Sequence, residues 1–269
     1  MKWIVQEDFT SEHTDTLFSK AVKDLGSDIH VVQYRPFVGP KDIRNGLGEI
    51  TCPVLFYGCI KFISKIQQID DYKPGAYSNF SALCCKSYYP ILGNLLLNYD
   101  YVIVPWKKLT TNWFDGVRFI RPDNGRKTFL GMVTDFDHIL EDVGSSVVNI
   151  QDGTLALVTS VKRTKFEWRF FVSNEGKVIT GCQYHKNGEL DVEEGYDNQA
   201  YVLAEKVCNI QKLNERIKDL VYVVDVCLTD GNEYKVVELN SFSCAGVYAC
   251  DVKKLVAYIK SKLCNPLVV

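Results

Sequence analysis

Two carboxylates and an amide interrupt the otherwise apolar runs of VYVVDVCLTDGNEYKVVELN, residues 221–240. Asp225 stands between Val224 and Val226, and Glu238 and Asn240 close the second run. An ionised carboxylate is costly to bury unless it is paired or coordinates a cation, and two side by side repel each other. A hard cation resolves both problems. Oxygen ligands of this kind, completed by water and substrate phosphate, suit magnesium much better than zinc. The competing reading is a hairpin whose polar side faces solvent, with the acids wet or paired to lysines.

Whether the three groups share a face depends on the turn. Two β-rich runs flank Asp230-Gly231-Asn232, and Gly-Asn suits a two-residue hairpin loop. With Gly231 and Asn232 as that loop, Asp230 pairs with Glu233 and Asp225 falls directly opposite Glu238, with Asn240 further along the same face. A loop of Asp230-Gly231 keeps all three together as well. A three-residue loop without a bulge would separate them.

A second group of chemistry-bearing residues lies in Val117–Gly131, VRFIRPDNGRKTFLG, which holds Arg118, Arg121, Arg126 and Lys127. A glycine-bearing turn flanked by cations can offer backbone N–H groups and positive charge to phosphates, although such a turn is often only a solvated loop. Arg121 precedes a proline and is expected to be extended. Three residues separate it from Arg118, so the two point to opposite faces of a strand. Glu167 and Arg169 in EWRFFV share a strand face among aromatic residues, either as a structural salt bridge to a neighbouring strand or as part of a site in which the Glu167 carboxylate holds the guanidinium. Anionic ligands, a basic turn and a Glu/Arg pair in one region describe a nucleotide-phosphate site.

Other chemistries find no support. The chain has none of the Walker, dinucleotide-binding, nucleophile-elbow or zincin motifs. His138 and His185 have no partner at meaningful spacing, and His185 reads as a surface-loop residue. The ten cysteines are scattered without a Cys-x-x-Cys pair, which favours reduced core thiols over zinc or disulfides. A formal net charge of −2 makes no case for nucleic acid. The opening MKWIVQEDF lacks a signal-peptide core, and no apolar run has membrane-spanning length, so the expected location is the cytoplasm.

The elements that must position these groups fall into two regions. From residue 1 to 105, WIVQ, a helix over Ser11–Leu25 capped by Ser11, HVVQY, PVLFYG and CIKFISKIQ alternate strand and helix, which implies a small parallel α/β unit. Tyr88–Leu97 reads as a helix and Tyr101–Pro105 as a buried strand, with Pro105 as the boundary. From 106 to 269 the expected strands are Val117–Pro122, Leu155–Val161, Glu167–Val172, Val178–Tyr184 and the hairpin. The expected helices are Thr134–Asp142, Asn198–Cys208 and Asp251–Leu263. This second region is α+β with a largely antiparallel sheet.

The order FIRPDNGRKTFLG, LALVTSVKRTKFEWRFFV, VITGCQY, YVVDVCLTDGNEYKVVELNSF resembles the ATP-grasp superfamily, and within it the phage and bacterial clade of predicted amidoligases marked by two arginines and a lysine. VLFYGCI, YKPGAY and LLLNYDYVIVP resemble that clade's preceding domain, so the likeness covers nearly the whole chain. It implies a pre-ATP-grasp domain over 1–105 and an ATP-grasp domain over 106–269. It places Arg121 and Lys127 on the phosphates, and Val158, Thr159, Ser160 and Val161 at the adenine hinge. The hinge acid usual in the superfamily is missing here. Arg169 would face the terminal phosphate or acyl phosphate, with Glu167 beside it, and Asp225, Glu238 and Asn240 match the magnesium ligands.

The implied activity is an ATP-dependent carboxylate–amine ligase using Mg2+, or Mn2+ in its place. It would join a small-molecule or peptide carboxylate to an amine through an acyl phosphate. Catalysis by positioning and charge stabilisation needs no nucleophilic side chain, in agreement with the missing triad. A phosphotransferase on the same fold would use the same groups. A nucleotide-binding regulatory protein could dispense with the metal trio.

Overall fold

A computed structural model describes residues 1–7, 9 and 12–264 of the chain. The proposed helix cap Ser11 lies outside the described residues. Near the N-terminus, strands β1 (Lys2–Gln6), β2 (Asp28–Val32), β3 (Val54–Tyr57) and β4 (Pro74–Gly75) form a parallel sheet in the order β2-β1-β3-β4. Helices α1 (Glu12–Asp24), α2 (Pro40–Leu47) and α3 (Ile60–Ile66) make the crossovers that parallel strands require. Helix α4 (Cys85–Leu92) then leads to β5 (Val102–Pro105).

Two antiparallel sheets follow. The smaller has the order β5-β8-β6-β7, built from β6 (Arg118–Pro122), β7 (Met132–Thr134) and β8 (Leu155–Thr159), with α5 (Ile139–Val143) beside it. The strand at the expected junction, β5, thus pairs with β8 of the second region. The larger sheet has the order β11-β10-β9-β12-β13. Its strands are β9 (Thr164–Ser173), β10 (Val178–Lys186), β11 (Glu189–Glu194), β12 (Val221–Thr229) and β13 (Tyr234–Ser241), and it is accompanied by α6 (Asn198–Cys208), α7 (Gln211–Ile217) and α8 (Val252–Cys264). The α/β-plus-α+β class read from the sequence is the observed one.

Strand β12 explains why the hairpin reads as apolar on both faces. Tyr222, Val224 and Val226 pack into one core with α6 and α7 residues, while Val221 and Val223 pack into another with Trp3, Leu55 and the α8 residues Leu255, Val256 and Ile259. Burial of each such valine contributes about 1.5 kcal/mol. Asp225 is next in line on the second of these faces and is 0% exposed. Helix α8 presents Val252, Leu255, Val256 and Ile259 at helical spacing, and Asp197 caps α6 by accepting from the N–H groups of Gln199 and Ala200.

The hairpin turn differs from the expected one. Asn232 N–H donates to the Thr229 carbonyl at 3.0 Å, Thr229 N–H donates to Glu233 O at 3.0 Å, and Asn232 has φ +59°. This is a three-residue loop, Asp230-Gly231-Asn232, ending in a left-handed residue. Leu228 therefore pairs with Tyr234 and Val226 with Val236, after which the register shifts and Asp225 pairs with Glu238. Val237 is the extra residue of a bulge, and it turns Glu238 to the face it would otherwise miss.

Other differences have local causes. Thr134 ends strand β7 instead of opening a helix, and its hydroxyl donates to Asp142 at 2.5 Å across the intervening turn. Strand β11 is an exposed sheet edge with four acids in its six residues and only Leu190 and Val192 apolar, so it carries little apolar signal. All ten cysteines are free thiols. Among the described residues no helix is long and apolar enough to cross a membrane.

Candidate functional site

The site grows from the centre of the large sheet. Asp225 on β12 is flanked by Arg169 on β9 and Glu238 on β13. Arg169 Nε donates to Asp225 Oδ1 at 2.9 Å and Nη2 to Oδ2 at 2.7 Å, a bidentate pair that lies almost wholly out of water. Asn240 Nδ2 donates to Asp225 Oδ2 at 2.9 Å and to Glu238 Oε1 at 2.8 Å, joining the two acids. Asp225, Glu238 and Asn240 are thus together on one face, as the sequence implied.

Two further cations converge on Glu238. Arg121 Nη2 lies 2.7 Å from Oε2 and Lys127 Nζ lies 3.2 Å from Oε1. Burial works to raise the Glu238 carboxyl pKa, but the charges of Lys127 and Arg121 and the Asn240 hydrogen bond outweigh it and hold it well below the ordinary carboxylate range. Burial likewise opposes the charge on Arg121, and Glu238 more than restores it. The cluster of Arg121, Lys127, Arg169, Asp225 and Glu238 carries three positive and two negative charges. One positive charge is left over, which suits a polyanion.

The expected Glu167–Arg169 contact is not formed. Residues two apart on a strand lie nearly 7 Å from each other, whereas directly opposed residues on neighbouring strands are closer. Arg169 accordingly turns to its cross-strand partner Asp225. Glu167 instead accepts from Tyr184 Oη at 2.6 Å and Thr164 Oγ1 at 2.8 Å, with His185 Nδ1 at 4.0 Å. His185 therefore has a carboxylate neighbour that its sequence position did not reveal.

The basic turn divides as its strand geometry requires. Ile120 packs into the core of the small sheet and Arg121 emerges on the other face, toward Glu238, while Arg118 lies 3.8 Å from Asp115. The base of the turn is anchored to α4: Asp123 Oδ1 accepts from Lys86 N–H at 2.6 Å and its carbonyl accepts from Cys85 N–H at 2.8 Å. Gly125 sits against Leu83 and Phe80, where a Cβ would meet Leu83 Cβ at 3.3 Å. Beyond this anchor Lys127 is exposed, with φ +51°.

The adenine-hinge candidates end β8. Val158 and Thr159 are buried, Ser160 is half-buried and Val161 is exposed. Asp100, just before β5, gathers the hinge: it accepts from Thr159 Oγ1 at 2.6 Å, Ser160 Oγ at 2.6 Å and Ser160 N–H at 3.3 Å, and it pairs with Lys162. Lys162 Nζ also donates to the Ser160 carbonyl at 3.2 Å. Burial alone would raise the Asp100 carboxyl pKa, but Lys162 and the two hydroxyls hold it below its ordinary value. A carboxylate thus reaches the candidate hinge from the turn before β5. Asp100 sits far from the candidate hinge in sequence, and no local pattern marks it, Tyr184 or Tyr248 as site residues.

The donor set fits a hard divalent ion. Asp225 and Glu238 would offer carboxylate oxygens, which here meet Arg169, Arg121 and Lys127, and a half-turn of the Asn240 amide would replace its Nδ2 by Oδ1. No cluster of three or more His, Cys, Asp or Glu side chains able to hold a metal occurs among the described residues. Water and phosphate would have to complete the shell, as they commonly do for magnesium.

Comparison with known proteins agrees with the fold. The fold is similar to that of a D-cycloserine synthetase, DcsG, with TM-score 0.62 and 10% identity over 98% of this chain and 100% of that one. It is also similar to the D-alanine–D-alanine ligase of Bacillus anthracis, with TM-score 0.58 and 13% identity over 98% and 97% of the two chains. The macrocyclase MdnC bound with precursor peptide MdnA from Microcystis aeruginosa gives TM-score 0.56 and 10% identity over 98% and 100%. No curated protein matches in sequence. Residues 104–258, more than half of the chain, match the model of the ATP-grasp domain, R2K clade family 2, and the protein belongs to that family.

Proposed function

We propose that the protein is an ATP-dependent carboxylate–amine ligase. The observation that carries this reading is the convergence of Arg121, Lys127 and Arg169 on the Asp225–Asn240–Glu238 face. A carboxylate oxygen of the acid substrate attacks the γ-phosphorus of ATP and ADP leaves. The amine nitrogen then attacks the acyl carbon, phosphate departs and the nitrogen loses a proton. Arg121 and Lys127 exchange Glu238 for phosphate oxygens on nucleotide binding, and Arg169 meets the charge that develops on the transferred group. Asp225, Glu238 and Asn240 would hold Mg2+ or Mn2+, which when bound neutralises phosphate charge and aligns the leaving group.

Val158–Val161 are assigned to the adenine hinge, and Glu167 supports the site through Tyr184. The N-terminal unit, 1–105, and the loop after β13 are assigned to substrate selection. The structural neighbours include an enzyme seen with a precursor peptide, so peptide carboxylates belong in the search beside small acids. Ten unpaired thiols suit a reducing compartment, in keeping with a cytoplasmic location.

The test is ADP release from ATP and magnesium with a panel of amino acids and peptides as acids and hydroxylamine as acceptor, which converts an acyl phosphate into a hydroxamate. Hydroxamate formed together with ADP and phosphate supports the ligase. ADP formed with a stable phosphorylated hydroxyl product, or ATP binding that ignores the divalent ion, overturns it.

A further inference from the structure

The Arg169 guanidinium has five N–H donors and uses three of them, two on Asp225 and one from Nη1 to the Gly246 carbonyl at 3.2 Å. Among the described residues the other two, one on each terminal nitrogen, have no protein acceptor. Turned to the same side, they are a fork that can meet two oxygens of one phosphoryl group, provided the guanidinium plane is held still. Asp225 and the Gly246 carbonyl hold that plane by its rim, but hydrogen bonds along the rim alone leave the group free to tilt.

Two tyrosines border the guanidinium. Its Cζ lies 5.2 Å from the Tyr184 ring centroid and 5.0 Å from that of Tyr248, and the two rings lie 5.2 Å apart at an interplanar angle of 12°. Tyr184 is fixed through its hydroxyl, which donates to Glu167. Tyr248 has no such tether: among the described residues its hydroxyl has no hydrogen-bond partner, and only its ring engages the site. Its backbone is left-handed, with φ +46°, a conformation unfavourable for a bulky side chain and concentrated at functional sites. Glycine would adopt it freely.

We propose that Tyr248 is a positioning residue whose ring, stacked on Tyr184, orients the Arg169 guanidinium so that its unpaired fork faces the phosphoryl group. The proposal rests on the reading of Arg169 given above. It accounts for Glu167 as well, since that carboxylate acts on Arg169 through the Tyr184 hydroxyl and the stacked rings instead of by direct contact.

The test uses the full chain labelled with 15N at arginine, with the Arg169 side-chain resonances assigned by their loss in Arg169→Lys. Tyr248→Gly removes the ring and relieves the backbone, and Tyr248→Leu, which keeps the bulk packed against the core without the aromatic face, separates loss of packing from loss of the ring. Both are expected to raise guanidinium rotation on the order of tenfold, the equilibrium equivalent of one partly desolvated cation–π contact. Tyr248→Phe is expected to stay near wild type. Arg169 rotation unchanged in Tyr248→Gly, or as fast in Tyr248→Phe as in Tyr248→Gly, overturns the proposal. Calorimetry with ATP and magnesium completes the test: affinity preserved in Tyr248→Gly agrees with positioning, whereas affinity lost with rotation unchanged makes Tyr248 a nucleotide contact. Failure of the wild type to bind ATP and magnesium would refute the ligase reading alone, because the resonances decide the clamp without nucleotide.

Discussion

Asp225 faces Glu238 across the β12–β13 hairpin because the bulge at Val237 offsets the three-residue turn at Asp230–Asn232. Without that extra residue the alternation of β13 would send Glu238 to the opposite face, away from Arg121 and Lys127. The functional face is thus set by two irregularities that compensate each other. Asp225 is also the bidentate partner of a buried arginine, which makes it a structural group as well as a candidate ligand.

The first prediction follows from that dual role. Asp225→Ala leaves the Arg169 charge buried without a counterion, a change that typically costs about 3–5 kcal/mol. Replacing both partners, Asp225→Leu with Arg169→Met, is expected to recover most of this loss while abolishing turnover. Urea unfolding of the two variants checks it. Equal destabilisation of single and double variants would show that the pair is not the source of the cost.

Glu238 is predicted to couple stability to acid. Its folded-state carboxyl lies well below the ordinary value of about 4.3, held there against burial by Lys127 and Arg121. A depressed pKa contributes stability that is fully present above the unfolded value and is lost as pH falls from there through the folded value. The stability difference between wild type and Glu238→Gln should therefore be constant above about pH 5 and shrink progressively below it. A difference independent of pH down to the acid transition would mean that the ion network contributes nothing. At neutral pH the same variant should weaken the magnesium dependence of ATP binding.

Sequence reasoning reached the antiparallel sheet, helix α6 at Asn198–Cys208 and the meeting of Asp225, Glu238 and Asn240, because period-2 patterning and a hairpin turn are local signals. It found the pairing through the wrong turn, since a loop one residue longer and a bulge of one residue leave the same partners opposite each other. It left the partner of Arg169 undecided between Glu167 and a neighbouring strand, because a single strand shows which residues share its face but not which strand lies beside it. Asp100 and Tyr248 were invisible for a related reason: each reaches the site from a chain segment outside the motif it serves.

The turn bearing Lys127 is predicted to be half anchored and half free. Asp123 N–H donates to the Leu155 carbonyl at 2.9 Å and its side chain holds the start of α4, whereas Lys127 N–H makes a longer bond of 3.3 Å to Asn124 O. Hydrogen exchange should be slow at Asp123 without nucleotide, and fast at Arg126–Thr128 until ATP and magnesium are added. Slow exchange at Lys127 in the nucleotide-free protein, or no response to ATP, would rule out closure of the turn over the phosphates.

The last prediction concerns the hinge. Asp100 ties the hydroxyls of Thr159 and Ser160, the Ser160 N–H and the Lys162 ammonium into one network, and so fixes the backbone that the adenine base would meet. Among the described residues no hydrogen bond or ion pair joins the Asp100 side chain to the cluster around Glu238, so removing it should weaken nucleotide binding more than the transfer step. Asp100→Ala is expected to raise the ATP dissociation constant on the order of tenfold, about the net value of one charge-assisted hydrogen bond. Turnover at saturating ATP should stay near wild type, and Asp100→Asn, which keeps an acceptor oxygen for one of the two hydroxyls, should lie between. Titration calorimetry beside saturating ADP-release rates separates the outcomes. Lowered turnover with unchanged affinity would mean that the hinge network serves the chemistry and not the base, and the adenine assignment of Val158–Val161 would have to be withdrawn.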